Sequence, residues 1–322
     1  MQGFDPRFVD LPDYILGITR EIWEDRGVAT LHRYYAPDLA VRSPASVVVG
    51  NAGVMAATMA TLAEFPDRTL LGEDVIWCGD EEHGFLSSHR ILSTATHAYD
   101  GVYGPASGKQ LRYRIIADCA ARSNQIYDEW LVRDQGAIVR QLGIEPKRYA
   151  AERIAAEGGP ERCIRPLGPG NDAPPRYTGG GNENVWGQQY AAAIAAIMQA
   201  DFASIPHSYD RAVQLELPGG VTRHGWHAAD GFWMRLRAAL PSAQFTIHHR
   251  IGREDPREAP RAALRWSLSG RHDGPGAFGA PTGAELYVLG ISHAEFGPRG
   301  IRREWVLYDE TAIWKEILLH TG

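Results

Sequence analysis

Cysteine is scarce, and what there is does not pair. Cys78, Cys119 and Cys163 are odd in number and widely separated, which excludes a disulfide framework and a Cys-x-x-Cys site. No Lys/Arg-rich stripe is present to neutralise phosphates, and 33 basic against 39 acidic residues leave a formal net charge of −6. A nucleic-acid partner is therefore not expected. The longest markedly apolar stretch, residues 190–198, is less than half the ~20 residues that span a bilayer. The N-terminal Met-Gln-Gly-Phe-Asp-Pro lacks a basic region followed by an apolar segment. No membrane partner and no secretory signal are read, and the cytosol (a cytoplasmic location) is the expectation. None of the Gly-rich runs, Gly179-Gly180-Gly181 included, has the spacing of a phosphate cradle, and no Gly-x-Ser-x-Gly nucleophile elbow appears.

What is present is a repeat. The segment His97-Ala-Tyr-Asp-Gly-Val-Tyr-Gly-Pro-Ala-Ser-Gly108 returns as His272-Asp-Gly-Pro-Gly-Ala-Phe-Gly-Ala-Pro-Thr-Gly283, displaced by 272 − 97 = 175 residues. Carried outwards without a gap, the displacement pairs Tyr34 with Tyr209, Gly50 with Gly225, Arg90 with Arg265, Glu129 with Glu304, Trp130 with Trp305 and Asp134 with Asp309. This period is far longer than a solenoid unit, so each copy should be a whole small domain with its own core. A chain of 322 residues accommodates two.

Within the first copy, Leu11, Ile15, Ile18, Ile22 and Trp23 predict an amphipathic helix over residues 11–24. A short second helix is expected over residues 27–35. Val47-Val48-Val49 reads as a strand, and Asn51 is placed as the cap of a third helix. Beyond it, residues 75–77, 85–96, 110–121 and 126–132 are β-prone runs, the pattern of a curved antiparallel sheet. Helices first and strands afterwards indicate an α+β domain. Residues 146–157 read as a helix and residues 158–184, dense in Gly, Pro and Asn, as a strap that wraps a surface or covers a pocket. The expected division is a first domain over 8–145, a linker over 146–184 and a second domain over 185–322. The second copy's third helix is expected to begin near Asp230, and a terminal helix covers residues 311–319.

A three-helix start, a bent sheet, a His step before a Gly-rich hairpin and a final Ile-x-x-Glu-Trp strand resemble the SnoaL-like polyketide cyclases, members of the nuclear transport factor 2-like (cystatin-like) cone fold. The sharpest parts of the resemblance are residues 90–134 and 265–309, where Gly-Ala-Pro-Thr-Gly283 is nearer the family pattern than Gly-Pro-Ala-Ser-Gly108. It implies tandem cone-shaped domains, an alpha+beta barrel-like pair, each with three helices on a strongly curved antiparallel sheet and a small-molecule pocket. It also implies an acidic residue on the strand after the hairpin that acts as acid and base in an aldol closure, with no metal and no cofactor. Asp118 matches that residue by position. The ungapped register puts His293 there in the second copy, so the copies are not chemically equivalent.

Asp118 lies among Ile115, Ile116, Ala117, Cys119 and Ala120, where a carboxylate is costly unless paired or protonated. Two readings stand: a base inside the cone with a raised pKa, or a carboxylate on the other sheet face paired with Arg112, Arg114 or Arg122, with which parity groups it. His97 either polarises a substrate carbonyl or pins the hairpin, and its recurrence as His272 fits the second role. His293 assisted by His272 is a candidate acid–base pair in the second copy. Trp130 and Trp305 either wall the cones and stack on flat substrates or fill the core. Tyr35, Trp77 and His89 are further candidates for the pocket. Glu129 and Glu304 are read as solvated or as partners of Arg90 and Arg265. His224, His227, His248 and His249 raise a metal question without diagnostic spacing. The expectation is acid–base chemistry on a hydrophobic, carbonyl-bearing small molecule (aldol-type cyclisation, isomerisation, or a lyase or hydrolase step). The rivals are a non-catalytic binding protein and a metal-dependent enzyme using the second copy's histidines. The two copies are expected to form an intramolecular pseudo-dimer, and homo-oligomerisation is left open.

Overall fold

The computed structural model describes residues 1–322. Helix α1, Leu11–Thr19, starts behind Asp10, whose side chain accepts from the Asp13 N–H, and buries Leu11, Tyr14, Ile15 and Ile18. It runs on as a π-helical turn, Arg20–Glu24. After a tight turn at Val28–Thr30 comes α2, Leu31–Tyr34, and later α3, Asn51–Glu64. Asn51 is not the cap: Gly50, at φ 88, holds that position. The Asn51 amide instead donates to the Tyr35 carbonyl at 3.1 Å and ties α3 to the end of α2.

The strands are β1 (Ala40–Ser43), β2 (Ser46–Val49), β3 (Thr69–Asp80), β4 (Gly84–Thr96), β5 (Gln110–Arg122) and β6 (Gln125–Arg133), in the order β2-β1-β6-β5-β4-β3. Helices α4 (Gln135–Leu142) and α5 (Pro146–Ala156) follow. The second set comprises α6 (Val185–Met198), α7 (Ile205–Ser208), β7 (Tyr209–Leu217), β8 (Val221–His224), α8 (Trp226–Ala239), β9 (Gln244–Arg253), β10 (Arg261–Arg271), β11 (Glu285–Gly297), β12 (Gly300–Tyr308) and α9 (Glu310–Thr321). Its sheet order is β8-β7-β12-β11-β10-β9.

The repeat read in the sequence is thus a repeat of architecture. Strands β5 and β11 begin and end one displacement apart (285 − 110 = 175 and 297 − 122 = 175), as do α3 and α8. The third helix of the second copy therefore starts at Trp226 rather than near Asp230. The sheets are mixed, not wholly antiparallel. In the first, β1 lies parallel to β6 through Val41↔Glu129 and Arg42↔Trp130; in the second, β7 lies parallel to β12. Strand direction leaves no mark on local hydrophobic alternation, which explains the difference.

Each sheet turns one face to its own helices and the other to its twin. The inner face of the second domain packs into a cluster of 32 buried residues that includes Trp233 and Trp266. The outer faces meet in a seam of Ile116, Trp130 and Val132 against Leu289, Ile291, Trp305 and Leu307. Burying these large apolar groups on both sides is the main force that holds the halves together. The arrangement is that of an isologous dimer written into one chain.

The strap crosses this seam and is fastened by backbone groups. Asp128 accepts the N–H groups of Arg176 (2.6 Å) and Tyr177 (2.9 Å), and Gly181 forms a bridge to Arg250. At Gly181 φ is +90° and a Cβ would collide with the Arg250 carbonyl, so only glycine fits.

Candidate functional site

Side chains alternate across β5 and β6, and the register sorts them into two rows. One row on the helix side joins His89, Ala117 and Leu131; the next joins Cys119 to Glu129. On the opposite face Ser88, Asp118 and Trp130 lie side by side. Glu129 and Trp130 are neighbours in sequence, so they cannot share a face. The structure turns Glu129 into the cone and Trp130 out of it.

The first domain's cone holds an inner cavity of about 70 Å³, lined by Ile15, Tyr35, His89, Cys119, Glu129 and Arg133 among others. A mouth of about 290 Å³ under α3 shares Trp23, Tyr35, Arg68, Glu129, Leu131 and Arg133 with it. Glu129 is 4% exposed, and one carboxylate oxygen, Oε2, has no partner. Burial raises its pKa to about 7, opposed by hydrogen bonds from the Tyr35 hydroxyl and the Cys119 thiol. Burial lowers His89 to about 4, and its Nδ1 is also unpartnered, so the ring is a neutral imidazole. Arg133 Nε is a third polar atom in this lining without a hydrogen bond. The chamber therefore offers a carboxyl group poised near neutrality, a neutral imidazole and a guanidinium donor within apolar walls.

Of the residues expected at a site, Tyr35 and His89 lie in this chamber. Asp118 does not: it is fully buried in the seam between the two sheets. Its Oδ2 lies 2.5 Å from His249 Nε2 and 3.7 Å from Arg265 Nη1, and the histidine neighbour, then Arg265 and Ser88, offset desolvation to hold its pKa below the usual carboxylate value. The outer-face reading is the one the structure adopts, but the clasping groups come from the second domain rather than from Arg112, Arg114 or Arg122. His293 occupies the matching place, with Nε2 2.8 Å from Ser88 Oγ and Nδ1 2.9 Å from Arg90 Nη1. A ring nitrogen that accepts from Arg90 must be unprotonated, which agrees with a pKa lowered by burial and by that arginine.

Trp130 and Trp305 also lie in the seam, each covered by an arginine of the other half: Arg265 stands 3.4 Å over Trp130 and Arg90 3.6 Å over Trp305. Trp77 packs edge-on to Phe85 beneath Arg253 and is absent from the lining of the cone. His97 Nδ1 lies 3.0 Å from Ser107 Oγ and Nε2 3.2 Å from Glu64 Oε1, while Glu64 also accepts the Val102 and Tyr103 N–H groups. His272 Nδ1 lies 3.0 Å from Thr282 Oγ1. Both histidines thus pin their hairpins.

Glu129 and Glu304, read from sequence as solvated or framework residues, are instead both interior. Glu304 accepts the hydroxyls of Tyr190 (2.8 Å) and Tyr209 (2.9 Å), and burial likewise raises it to about 7. Around it, however, the second cone is occupied by Trp233 and Trp266, both 0% exposed. Sequence reasoning missed Glu129, Arg68, Arg133 and Trp23. The signal available was the persistence of Glu at both copies beside a Trp, which allowed only one of the pair to face inward. No group of three His, Cys, Asp or Glu side chains has a metal-holding arrangement. His249 is committed to Asp118, and His248 Nε2 lies 2.9 Å from Ser267 Oγ.

Residues 14–142, about two-fifths of the chain, match the family model of SnoaL-like polyketide cyclases. Among solved structures, IdmH of Streptomyces antibioticus is 23% identical, with a TM-score of 0.37 over 41% of this chain and 98% of its own. A SnoaL-like polyketide cyclase from Agrobacterium tumefaciens strain C58 is 17% identical, with a TM-score of 0.32 over 42% of this chain and 98% of its own. TsrD from Streptomyces laurentii is 17% identical, with a TM-score of 0.35 over 40% and 95%. None of the curated proteins matches. No helix is long and apolar enough to cross a membrane. Residues 14–142 are thus similar to the SnoaL-like polyketide cyclases, and the second half of the chain repeats the strand order of the first.

Proposed function

We propose that the first domain's cone is the reaction chamber of an enzyme that moves a proton on a hydrophobic, carbonyl-bearing small molecule, and that the second domain braces it. The observation that carries this reading is Glu129: a carboxyl group inside an apolar chamber, with one free oxygen and a pKa raised to about 7 by burial. Such a group is a competent base toward an acidic C–H and, once protonated, a competent acid at the same pH. In the proposed step the Glu129 carboxylate takes a proton from carbon next to a carbonyl. The resulting enolate oxygen is met by Arg133 or Arg68, and neutral His89 supplies a further polar contact. The enolate carbon then attacks a second carbonyl of the same molecule, and the proton returns from Glu129 to the new alkoxide. Atoms and charge balance with no external redox partner.

The match to SnoaL-like polyketide cyclases supports a cyclase-type outcome, and the same machinery serves an isomerisation, lyase or hydrolase step. Asp118 and His97, the residues first expected to do this work, are assigned here to holding the domains together and to shaping the hairpin. The test is to incubate the protein with hydrophobic 1,3-diketones and polyketide-like aromatic ketones in D₂O and to measure deuterium uptake next to the carbonyl by mass spectrometry. Catalysed exchange that Glu129→Gln abolishes and Asp118→Asn in folded protein retains is the expected result. Binding of such ketones without exchange would make the chamber a carrier's pocket rather than an active site.

A further inference from the structure

The pseudo-twofold seam is not symmetric in how it satisfies its two arginines. In one half, Arg90 donates from Nε to Glu73 Oε2 (3.0 Å) and from Nη1 to His293 Nδ1 (2.9 Å). The displaced equivalents differ: 265 − 90 = 175 gives Arg265, but 248 − 73 = 175 puts His248 where Glu73 stood. Arg265 has lost the carboxylate that anchors its twin. It is 5% exposed, its Nη1 has no hydrogen-bond partner, and its nearest carboxylate oxygen, on Asp118, is 3.7 Å away and already bonded to His249. A buried guanidinium short of acceptors is costly, and it stands ready for an acceptor from elsewhere.

Arg265 lines a cavity of about 210 Å³ between the domains, roofed by the strap at Tyr177-Thr178-Gly179 and walled by Trp130, Tyr287 and Leu289. The volume lies below the ~300 Å³ at which common ligand pockets begin, which suits one or two fused rings. Local charge decides the chemistry. The guanidiniums of Arg42 and Arg265 face three carboxylates: Asp128 and Asp172 bonded to Arg42 (2.5 and 2.6 Å), and Asp118 beside Arg265. Burial pushes both His248 and His249 toward the neutral form. The surroundings hold no surplus positive charge, so an added anion is disfavoured while a neutral acceptor oxygen is not.

We infer that this inter-domain cavity is a second ligand site, distinct from the cone, that takes a small, flat, uncharged molecule with an acceptor oxygen, such as an aromatic ketone. The oxygen accepts from Arg265, and the ring lies against Tyr177, Tyr287 and Leu289.

The probe is chromone, with chromone-2-carboxylate as its charged counterpart, titrated calorimetrically into the full chain. Because chromone also suits the cone, the titration uses Ala57→Trp, which obstructs the cone mouth at an exposed helix position. Chromone is expected to bind this variant at one site, and the carboxylate at least ten-fold more weakly. Adding Thr178→Trp, an exposed strap substitution that plugs the second cavity, should weaken chromone at least ten-fold. Arg265→Met should do the same where it folds, and the strap variant keeps the test decisive where it does not. Absence of chromone binding to Ala57→Trp, indifference to Thr178→Trp, or a preference for the carboxylate would each overturn the proposal. Failure of the exchange chemistry at Glu129 would leave it untouched.

Discussion

Replacing Glu129 with Gln removes a titrating group while leaving its shape, and the structure sets both the sign and the size of the effect. In the unfolded chain this carboxyl ionises at its ordinary value of 4.5; in the cone burial raises it to about 7. Between those values the folded state holds a proton that the unfolded state has released. Stability is therefore fully present below pH 4.5 and falls as pH rises, reaching its full loss above pH 7. The displacement corresponds to about 3 kcal/mol at ~1.4 kcal/mol per pH unit.

Glu129→Gln should therefore match the parent, or fall slightly below it, near pH 4.5. It should exceed the parent by about 2–3 kcal/mol near pH 8, some of the gain being offset by a weaker acceptor for Tyr35 and Cys119. Urea denaturation from pH 4.5 to 8.5, read as the midpoint difference between variant and parent, measures it. Glu304→Gln is the internal control. It should show a similar pH-dependent gain, because burial raises Glu304 to about 7 too, yet leave exchange activity intact, because Trp233 and Trp266 occupy its cone. A stability difference that does not change with pH, or exchange that survives Glu129→Gln, would refute the assignment of a buried, proton-accepting carboxyl.

Asp118→Asn should destabilise the fold by about 3–5 kcal/mol, because Arg265 and His249 lose a buried charged partner; denaturant titration checks this, and exchange per folded molecule should be unchanged. Acidification should have the same target: the Asp118 pKa is held below its ordinary value, so its contribution is present above that value and fades as pH drops through the lowered one, with inter-domain loosening visible by scattering. Gly290→Ala places a methyl group inside the Trp266 ring and should cost about 1–3 kcal/mol by thermal denaturation, with no effect on chemistry in the first cone. His97→Ala should lower stability by about 1–2 kcal/mol through the freed Glu64 and Ser107, and raise hydrogen exchange at Val102 and Tyr103, while KM changes little.

Hydrophobic alternation and the 175-residue repeat determined the α+β architecture, because period and identity are local properties that a chain carries openly. The duplicated hairpin, the third helix and the three long central strands were legible on those grounds. Alternation along β5 also grouped Asp118 with Arg112, Arg114 and Arg122, but it could not say which face was outward when both faces are buried. Only the tertiary structure decided that. The second domain covers the first domain's outer face, so a carboxylate in an apolar run is met by His249 and Arg265 from 131 and more residues away. Packing likewise decided that one cone stays open around Glu129 while its twin is filled around Glu304 by two tryptophans that come from a helix and a strand. Faces, charge partners and empty space depend on what arrives from distant parts of the chain, and one-dimensional spacing does not carry that information.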